Sequence, residues 1–455
     1  MAALLAVMAG GCATYAPRPL DPGAIESRLE HRSLEDPALS AWLAAHARSS
    51  DWNLDRLAWT SLYYSADVQL ARSQWQSARA AAITAGARAN PQFDLTSEYN
   101  RDATAGEDPW TRGFSLMIPV DLAGKRRVRL AAAVAKTEQA RLEYADAAWA
   151  ARRQVREALV GLLAPATSLQ AQADAQAERA RLMQRRFEVG LSGRPDLTQA
   201  RLSLQGIETE AADARRELDE SRVALAAAIG VSVEALADVR LALSDVEQPP
   251  PLDQLPTPAL QREALLNRPD VLAALAGYQA AEASLHLEVA KQYPDLALSP
   301  GLLWDAGAAK WTLGLSLVLP LLDRNRGPIA EAQAQREEAA ARVIQAQAKA
   351  LAELEQARAS YAASLDALHA AESQVASTTA LMGAAQRAQA AGTGIRSDVL
   401  GAQAEQASAQ ARRQRALMQA ERALGALEDA IRQPISGAAF SPEEAIRQFP
   451  EGTER

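Results

Sequence analysis

The sequence predicts an α+β fold built from two tandem copies of one helix–hairpin–helix unit. The first observation is an internal duplication, because WTRGFSLMIP at residues 110–119 is matched by WTLGLSLVLP at residues 311–320. The second is that short stretches of alternating apolar and polar residues lie between long alanine-rich stretches. A duplication of this length indicates two structurally equivalent halves. Each half is expected to place a pair of strands between long helices.

Composition narrows the class of protein. Hydrophobic residues make up 48% of the 455 residues and aromatic residues only 5%, because alanine, the strongest helix former, supplies much of the apolar count. The net charge is −8 and there is no basic stripe, which argues against a nucleic-acid partner. One cysteine excludes a disulfide framework, and the four histidines lack the spacing of zinc ligands on a helix. We therefore expect no catalytic residue, no metal site and no non-covalent cofactor.

The N-terminus suggests a membrane anchor. Residues 1–12 resemble a bacterial lipoprotein signal, in which an apolar run leads through small residues to a cysteine. By this resemblance Cys12 carries a covalent lipid, and several acyl chains together hold a protein stably at a membrane. An apolar tail with a free thiol is the alternative. Residues 13–38 contain several prolines and are predicted to form an extended leader.

The first repeat is assigned to residues 39–248. Residues 39–89 are predicted to form one helix, which ends before Pro91. Two strands are predicted at residues 92–100 and 110–119, because apolar and polar side chains alternate along both with the period of a strand.

A long helix follows the second strand. It is predicted to run to Val189 with a bend at Pro165, and at about 60 residues it would be about 90 Å long. A helix of this length suits a coiled coil better than a compact domain. Residues 190–196 are predicted to form a glycine-containing turn, after which a second helix returns as far as Ile229.

The second repeat follows the same plan. A proline-rich linker at residues 249–258 separates it from the first, and the repeat itself is assigned to residues 259–435. Its strands are predicted at residues 294–304 and 311–320. A long helix, a second glycine turn and a last helix complete the repeat, and a polar tail occupies residues 436–455.

The four strands have the length and the alternation of transmembrane β-barrel strands, with one apolar face for lipid and one small or polar face for water. Trp110, Trp304 and Trp311 are predicted to lie at strand ends beside the loops, as a membrane girdle, with the second loop at residues 305–310. Four strands cannot close a barrel, and open edges cannot lie in hydrocarbon, so the strands must be shared between subunits. Two copies would give eight strands and three would give twelve. The alternative is two ordinary hairpins on a helical bundle in solution.

The ordered set of features, occurring twice, resembles the TolC-type outer-membrane efflux proteins over roughly residues 40–435. The features are a proline before each first strand, Pro91 and Pro294, and a turn with the pattern Gly-x5-Asp at Gly190 and Gly392. The cysteine that follows two glycines is similar to the lipidated branch of that family.

The resemblance implies a lipid-anchored homotrimer with a twelve-stranded β-barrel in contact with outer-membrane lipid, above an α-helical tunnel that crosses the periplasm. It implies a periplasmic adaptor and an inner-membrane RND-type pump as partners, so that the protein is the passive exit duct of a tripartite efflux system. A coiled-coil scaffold and an enzyme are the competing hypotheses. The signal-like start and the strands count against the scaffold, and the lack of any catalytic constellation counts against the enzyme. The cargo, drug or metal ion, and the identity of pump and adaptor stay open.

The two glycine turns are predicted to form the periplasmic tip, since glycine permits left-handed backbone at a helix C-terminus. By resemblance, an aspartate in each turn helps to hold the tunnel shut, and the arginine two residues earlier could pair with it within or between subunits. The residues predicted for this tip and gate are Gly190, Arg194, Asp196, Gly392, Arg396 and Asp398. Helix capping is the alternative role of the aspartates, with Asp196 at the N-cap and Gln199 three positions later.

Two basic turns, at residues 124–127 and 324–327, lie where the strands would meet the long helices. They could contact anionic headgroups or line the pore. Solvated cationic turns are the simpler interpretation.

Overall fold

The computed structural model describes residues 15–102, 106 and 108–435, and these form an α+β fold of long helices with one small sheet. The predicted signal at residues 1–12, with Cys12, and the polar tail at residues 436–455 lie outside the described residues. Within the described part of the chain, no helix is both long and apolar enough to cross a membrane.

Within the described residues, four helices precede the first strand, whereas the sequence predicted one helix over residues 39–89. They are α1 (Pro22–Glu30), α2 (Pro37–His46), α3 (Leu54–Tyr64) and α4 (Ala66–Gly86). The single-helix prediction is wrong because two polar side chains cap new helices inside it. Asn53 accepts a hydrogen bond from the Arg56 N–H at 3.1 Å, and Ser65 accepts one from the Val68 N–H at 3.4 Å.

The extended leader predicted for residues 13–38 is also wrong over the length of α1. Asp21 accepts a hydrogen bond from the Gly23 N–H at 3.0 Å, and Pro22 occupies the first helical position. An aspartate cap followed by proline is a strong helix start, because proline has no N–H to leave unsatisfied there.

The long helices that follow the hairpin form the coil of each repeat, and the coil of the first repeat is interrupted. It consists of α5 (Lys125–Gly161), α6 (Ala166–Glu188) and α7 (Arg194–Ile229). The bend predicted at Pro165 is a full break, in which residues 162–164 each donate to the carbonyl three positions back. These tighter bonds end α5, and proline, which lacks an N–H, cannot continue its hydrogen-bond pattern.

The second repeat contains α8 (Pro258–Leu266), α9 (Pro269–Ala290), α10 (Arg326–Ala390) and α11 (Arg396–Ile431). Its coil consists of α10 and α11, and α10 is unbroken. Helix α10 has 65 residues, which corresponds to a length of about 98 Å. Ala367 stands where Pro165 stands in the first repeat, and alanine continues the helix.

One antiparallel sheet joins the two repeats. Its strands, in spatial order, are β1 (Gln92–Tyr99), β2 (Trp110–Val120), β3 (Leu296–Asp305) and β4 (Ala308–Leu317). The junction between repeats is the β2–β3 pair, in which Phe114 lies opposite Leu302. β1 and β4 are the two edges.

The second hairpin is tighter than predicted. A loop was expected at residues 305–310, but Ala306 and Gly307 alone make the turn, with φ of +49° and +77°. Positive φ at both central positions defines the type I′ turn, whose twist matches that of paired strands. β4 therefore begins at Ala308 and ends at Leu317, before the predicted strand at 311–320 in both respects.

The helices enclose two cores that differ in composition. Helices α2 to α5 and the end of α7 enclose large side chains, among which Leu57 and Ile229 are fully buried and Trp149 nearly so. Between α6, α7 and α11 the core is mainly alanine, with Leu169 and Ile207 as its larger members. Small contact residues allow neighbouring helices to lie close together.

Candidate functional site

The two turns at the ends of the coils are built alike. Gly190 follows α6 and Gly392 follows α10, with φ of +75° and +74°. In both turns the residue after the glycine donates its N–H to the carbonyl five positions back, and the glycine donates to the carbonyl three positions back. The bonds are Leu191 to Arg186 at 2.7 Å, Gly190 to Phe187 at 3.0 Å, Thr393 to Ala388 at 3.0 Å, and Gly392 to Gln389 at 3.0 Å. This is the Schellman motif.

Glycine is required in these turns by conformation and not by space. A Cβ added to Gly190 or Gly392 would meet no atom within 4 Å. The left-handed backbone, however, costs a residue with a Cβ about 1–2 kcal/mol. Each predicted tip glycine therefore fixes the direction in which the next helix leaves.

The two predicted gate aspartates cap the helices that leave the turns, but not at the position expected. Asp196 and Asp398 are the third residues of α7 and α11, and each carboxylate accepts the N–H of the N-cap residue, from Gly193 at 3.0 Å and from Ile395 at 3.4 Å. The expectation of Asp196 at the N-cap is wrong because Pro195 lies in the first turn and starts α7 earlier. Negative charge in a first helical turn is also favourable to the helix dipole.

The two predicted tip arginines differ. Arg396 reaches across to the first repeat and binds Glu178 of α6, with Nη2 at 2.8 Å and Nε at 3.2 Å from the same carboxylate oxygen. Within the described residues, Arg194 has no ion pair, and neither arginine pairs with the aspartate of its own turn. Pairing between subunits stays a prediction. The Arg396–Glu178 pair ties the two coils together near their tips.

Sequence reasoning missed Glu178. It lies 218 residues before Arg396, inside a helix rich in charged residues. Nothing in its local spacing distinguishes it from the solvated carboxylates around it. The contact exists only because α6 packs against α11.

The prediction of a solvated basic turn at residues 124–127 is wrong for Lys125 and is confirmed for Arg127, which is exposed. Lys125 is buried, and its Nζ donates to the Tyr293 carbonyl at 2.7 Å and to Asp295 Oδ1 at 2.8 Å. The Nε of Arg126 donates to the Gly86 carbonyl. Both cations therefore fasten the start of α5 to neighbouring chain segments, because the turn is enclosed between α4 and the entry to β3.

The turn at residues 324–327 has a related anchor. Asn325 occupies the position of Gly124, and both have positive φ, +59° and +66°. The Asn325 Nδ2 donates to the carbonyl and the carboxylate of Glu288, at 2.7 and 2.9 Å. Each long helix thus begins at a fixed point below its hairpin.

The sheet has one apolar and one polar face. Residues opposite one another in an antiparallel sheet share a face, and alternate residues along a strand share it as well. The registers place one row on one face: Leu95, Phe114, Leu302 and Trp311. The row behind it, on the other face, is Thr96, Gly113, Leu303 and Lys310. The large apolar side chains are exposed, Leu95 at 77% and Trp311 at 87%.

The predicted girdle tryptophans lie on this apolar face. Trp110 opens β2 and makes an edge contact with Tyr99 at 4.9 Å between ring centroids, and Trp304 is next to last in β3. Trp311 was expected at a strand end but is the fourth residue of β4, because the turn is short. Arg112, which interrupts the apolar pattern, lies with its guanidinium 5.1 Å from the centre of the Trp110 ring.

The chain belongs to the outer membrane efflux protein family. The family profile matches residues 60–231 and 260–431, which are the two repeats. Within the described residues no cluster of three or more metal-binding side chains is present.

The chain is also similar to individual proteins. The chain is 30% identical over 255 residues to the cobalt-zinc-cadmium resistance protein CzcC of Cupriavidus metallidurans, a match that spans 55% of this chain and 58% of that protein. Its fold is similar to that of the outer membrane protein VceC of Vibrio cholerae, with a TM-score of 0.66 and 21% identity over 86% of this chain and 97% of that one. The Campylobacter jejuni CmeC outer membrane channel gives a TM-score of 0.66 and 18% identity, over 93% of both chains.

Proposed function

We propose that this protein is the outer-membrane exit duct of a tripartite efflux pump, through which cargo leaves the cell passively. The observation that carries the proposal is the sheet. Two hairpins from distant repeats join through β2 and β3, present one exposed apolar face, and leave β1 and β4 as edges. A sheet of this kind suits a membrane only when its edges are paired, because unpaired backbone groups cannot lie in hydrocarbon.

The proposed assembly is a homotrimer. Three copies of the four-stranded sheet would pair β4 of one copy with β1 of the next and close twelve strands, a number within the range of membrane barrels. The coils would form a helical tunnel below, whose tips meet a periplasmic adaptor and, beyond it, an inner-membrane RND-type pump. A lipid on Cys12 would add an anchor in the outer membrane. Membership in the outer membrane efflux family supports the trimer and the tunnel. The proposed lipid rests on the cysteine motif at the end of residues 1–12.

Passage through a passive duct needs no catalytic residue. The cargo is whatever the inner-membrane pump delivers. Divalent metal ions come first among the candidates, because the relative with 30% identity is named for cobalt, zinc and cadmium resistance. Survival of a deletion strain on zinc, cobalt and cadmium salts, compared with survival on drugs, would separate the two cargoes.

Mass and bilayer conductance, measured on one detergent-extracted sample, test the duct. A trimer with small, rarely opening channels is the expected result. A water-soluble monomer or dimer without conductance would contradict the proposal and favour a coiled-coil scaffold.

The proposed gate is the tip, where Asp196 and Asp398 lie in equivalent turns and Arg396 ties the coils through Glu178. Exposed ion pairs contribute about 0–1 kcal/mol each, so a few of them would hold a closed state that an adaptor can open. Replacing both aspartates by Ala should raise the single-channel conductance, because it removes charge from the tip.

The double Asp→Asn variant separates gating from capping. Asparagine still accepts the N–H of Gly193 or Ile395 through its amide oxygen, but it carries no charge. A charge-based gate predicts raised conductance in both double variants. If the Asn double variant conducts like wild type while the Ala variant only loses thermal stability, the aspartates are caps and the gate assignment fails.

A further inference from the structure

A cleft of 930 Å³ lies where α1 crosses α3, α4 and the middle of α5. Tyr144 lines it about 20 residues into α5, and therefore about 30 Å from the sheet. The described lining residues belong neither to the tip turns nor to the strands. The proposed duct function does not involve this cleft.

Cations dominate the lining of the cleft. Arg28, Arg32 and Arg72 line it together with one carboxylate, that of Asp36. Asp36 is already engaged, since it accepts the Ala38 N–H at 2.8 Å as the cap of α2. Clefts lined by one sign of charge concentrate ions of the opposite sign.

Two of these arginines are held in place by carbonyl groups and not by carboxylates. Nη1 of Arg32 donates to the carbonyls of Tyr64 and Gly230 at 2.9 and 3.0 Å, and Nε of Arg28 donates to the Ala24 carbonyl at 3.3 Å. In the part of the chain that the structure describes, neither forms an ion pair. Their positive charge is therefore not neutralised inside the cleft.

A buried hydroxyl lies against the same space. Tyr144 is 1% exposed, and its hydroxyl has no hydrogen-bond partner among the described residues. Burial raises the pKa of Tyr144 to about 12, although the nearby Arg72 opposes the rise, so the hydroxyl stays protonated and can donate. A buried hydroxyl without an acceptor costs about 1–3 kcal/mol, which an acceptor in the cleft would relieve.

We propose that this cleft binds an organic anion, whose carboxylate or phosphate group accepts hydrogen bonds from the Tyr144 hydroxyl and from Arg28 and Arg32. The volume is that of a small-molecule site. The rings of Tyr63 and Tyr64 line the remaining space and suit the organic part of such a ligand. A bound anion connects α1 to α4 and α5 and so fixes the N-terminal segment against the coil.

Calorimetric titration of the full-length protein in detergent tests this site, with citrate as the carboxylate probe and inorganic phosphate as the phosphate probe. Saturable binding of at least one probe is expected. Tyr144→Phe and Arg28→Gln should each weaken it about tenfold, the value of one hydrogen bond to a charged group. Tyr144→Phe keeps the buried ring, so its thermal stability should not fall.

Arg342→Gln is the matched control, because Arg342 is an exposed arginine of α10 that pairs only with Glu338 among the described residues. Its affinity for both probes should equal that of wild type. In a second measurement, citrate or phosphate should slow hydrogen exchange of residues 16–32 in wild type but not in Tyr144→Phe. Absence of saturable binding, or equal weakening by Arg342→Gln and Tyr144→Phe, would overturn the site.

Discussion

Replacing Glu421 by Gln should remove a loss of stability that the wild-type protein undergoes as the pH rises. Glu421 lies on α11 and is fully buried, and its Oε2 accepts a hydrogen bond from Nη2 of Arg156 on α5 at 2.6 Å. Its other carboxylate oxygen has no partner among the described residues. Glu428 lies two helical turns further along α11 and also faces Arg156. The distance from Glu428 Oε2 to Arg156 Nε is 3.5 Å. Two carboxylates thus compete for one arginine in the core that joins the repeats.

The magnitude follows from the pKa of Glu421. Burial raises this pKa to about 7; Arg156 opposes the rise, and the negative charge of Glu428 adds to it. Because the pKa is higher in the folded protein than in the unfolded chain, the folded state holds this proton more tightly. The resulting stability is fully present below the unfolded pKa and is lost as the pH rises through about 7. A rise from 4.5 to about 7 corresponds to about 3 kcal/mol.

Chemical unfolding followed by helical circular dichroism, repeated from about pH 5 to about pH 8, measures the effect. Glutamine keeps the shape of the protonated acid and does not titrate. The unfolding free energy of Glu421→Gln minus that of wild type should therefore rise by about 2.5 kcal/mol across this range, most of the full effect. Parallel pH curves for the two proteins would refute the reasoning.

Glu428→Gln is the matched control. Burial works against ionisation of Glu428, but Arg152 and Arg156 hold its pKa below the usual range. It is ionised throughout the same pH range, so it adds no slope of its own. Its replacement removes a negative charge that raises the pKa of Glu421, so the pH-dependent loss of stability should become smaller but should not disappear as in Glu421→Gln. The variant should also be less stable at every pH, by about 3–5 kcal/mol, because Arg152 and Arg156 stay buried with one carboxylate fewer.

Three further predictions concern the tip, the junction below the sheet and the anchor. Gly392→Ala should lower the unfolding free energy by about 1–2 kcal/mol, since φ is positive there, whereas Gly401→Ala in the second turn of α11 should not lower it. Lys125→Met should lower the thermal midpoint by removing two charge-assisted bonds worth about 1.5–3 kcal/mol each; a midpoint unchanged from wild type would contradict the anchoring role. Cys12→Ser should abolish incorporation of labelled palmitate, and label that still enters the protein would refute lipidation.

Local sequence signals were sufficient wherever the structure depends on backbone conformation. Gly190 and Gly392 correctly predicted the two turns because left-handed backbone favours glycine. Period-two alternation marked the strands and the face that Trp304 and Trp311 share, because side chains alternate across any strand. The long helix after Asn325 followed from its alanine content.

Errors arose where a short local signal competed with a longer pattern. Ser65 caps a new helix inside a stretch that is apolar at helical spacing throughout, and Ala306 joins Gly307 in a two-residue turn although alanine rarely has positive φ. In the second case the paired strands decide, because the ladder between β3 and β4 outweighs the strain of one residue.

The sequence by itself determined the duplicated plan, the helix and strand order, and the positions of the tip turns, because each of these depends on neighbouring residues. Only the tertiary structure decided which charges meet. Arg396 with Glu178, Lys125 with Asp295 and Arg156 with Glu421 are separated by 218, 170 and 265 residues. In a chain with dozens of charged side chains, spacing cannot select such pairs. Packing of one repeat against the other brings these groups together. It buries Lys125, Arg156 and Glu421, whereas Arg396, Glu178 and Asp295 remain in contact with water.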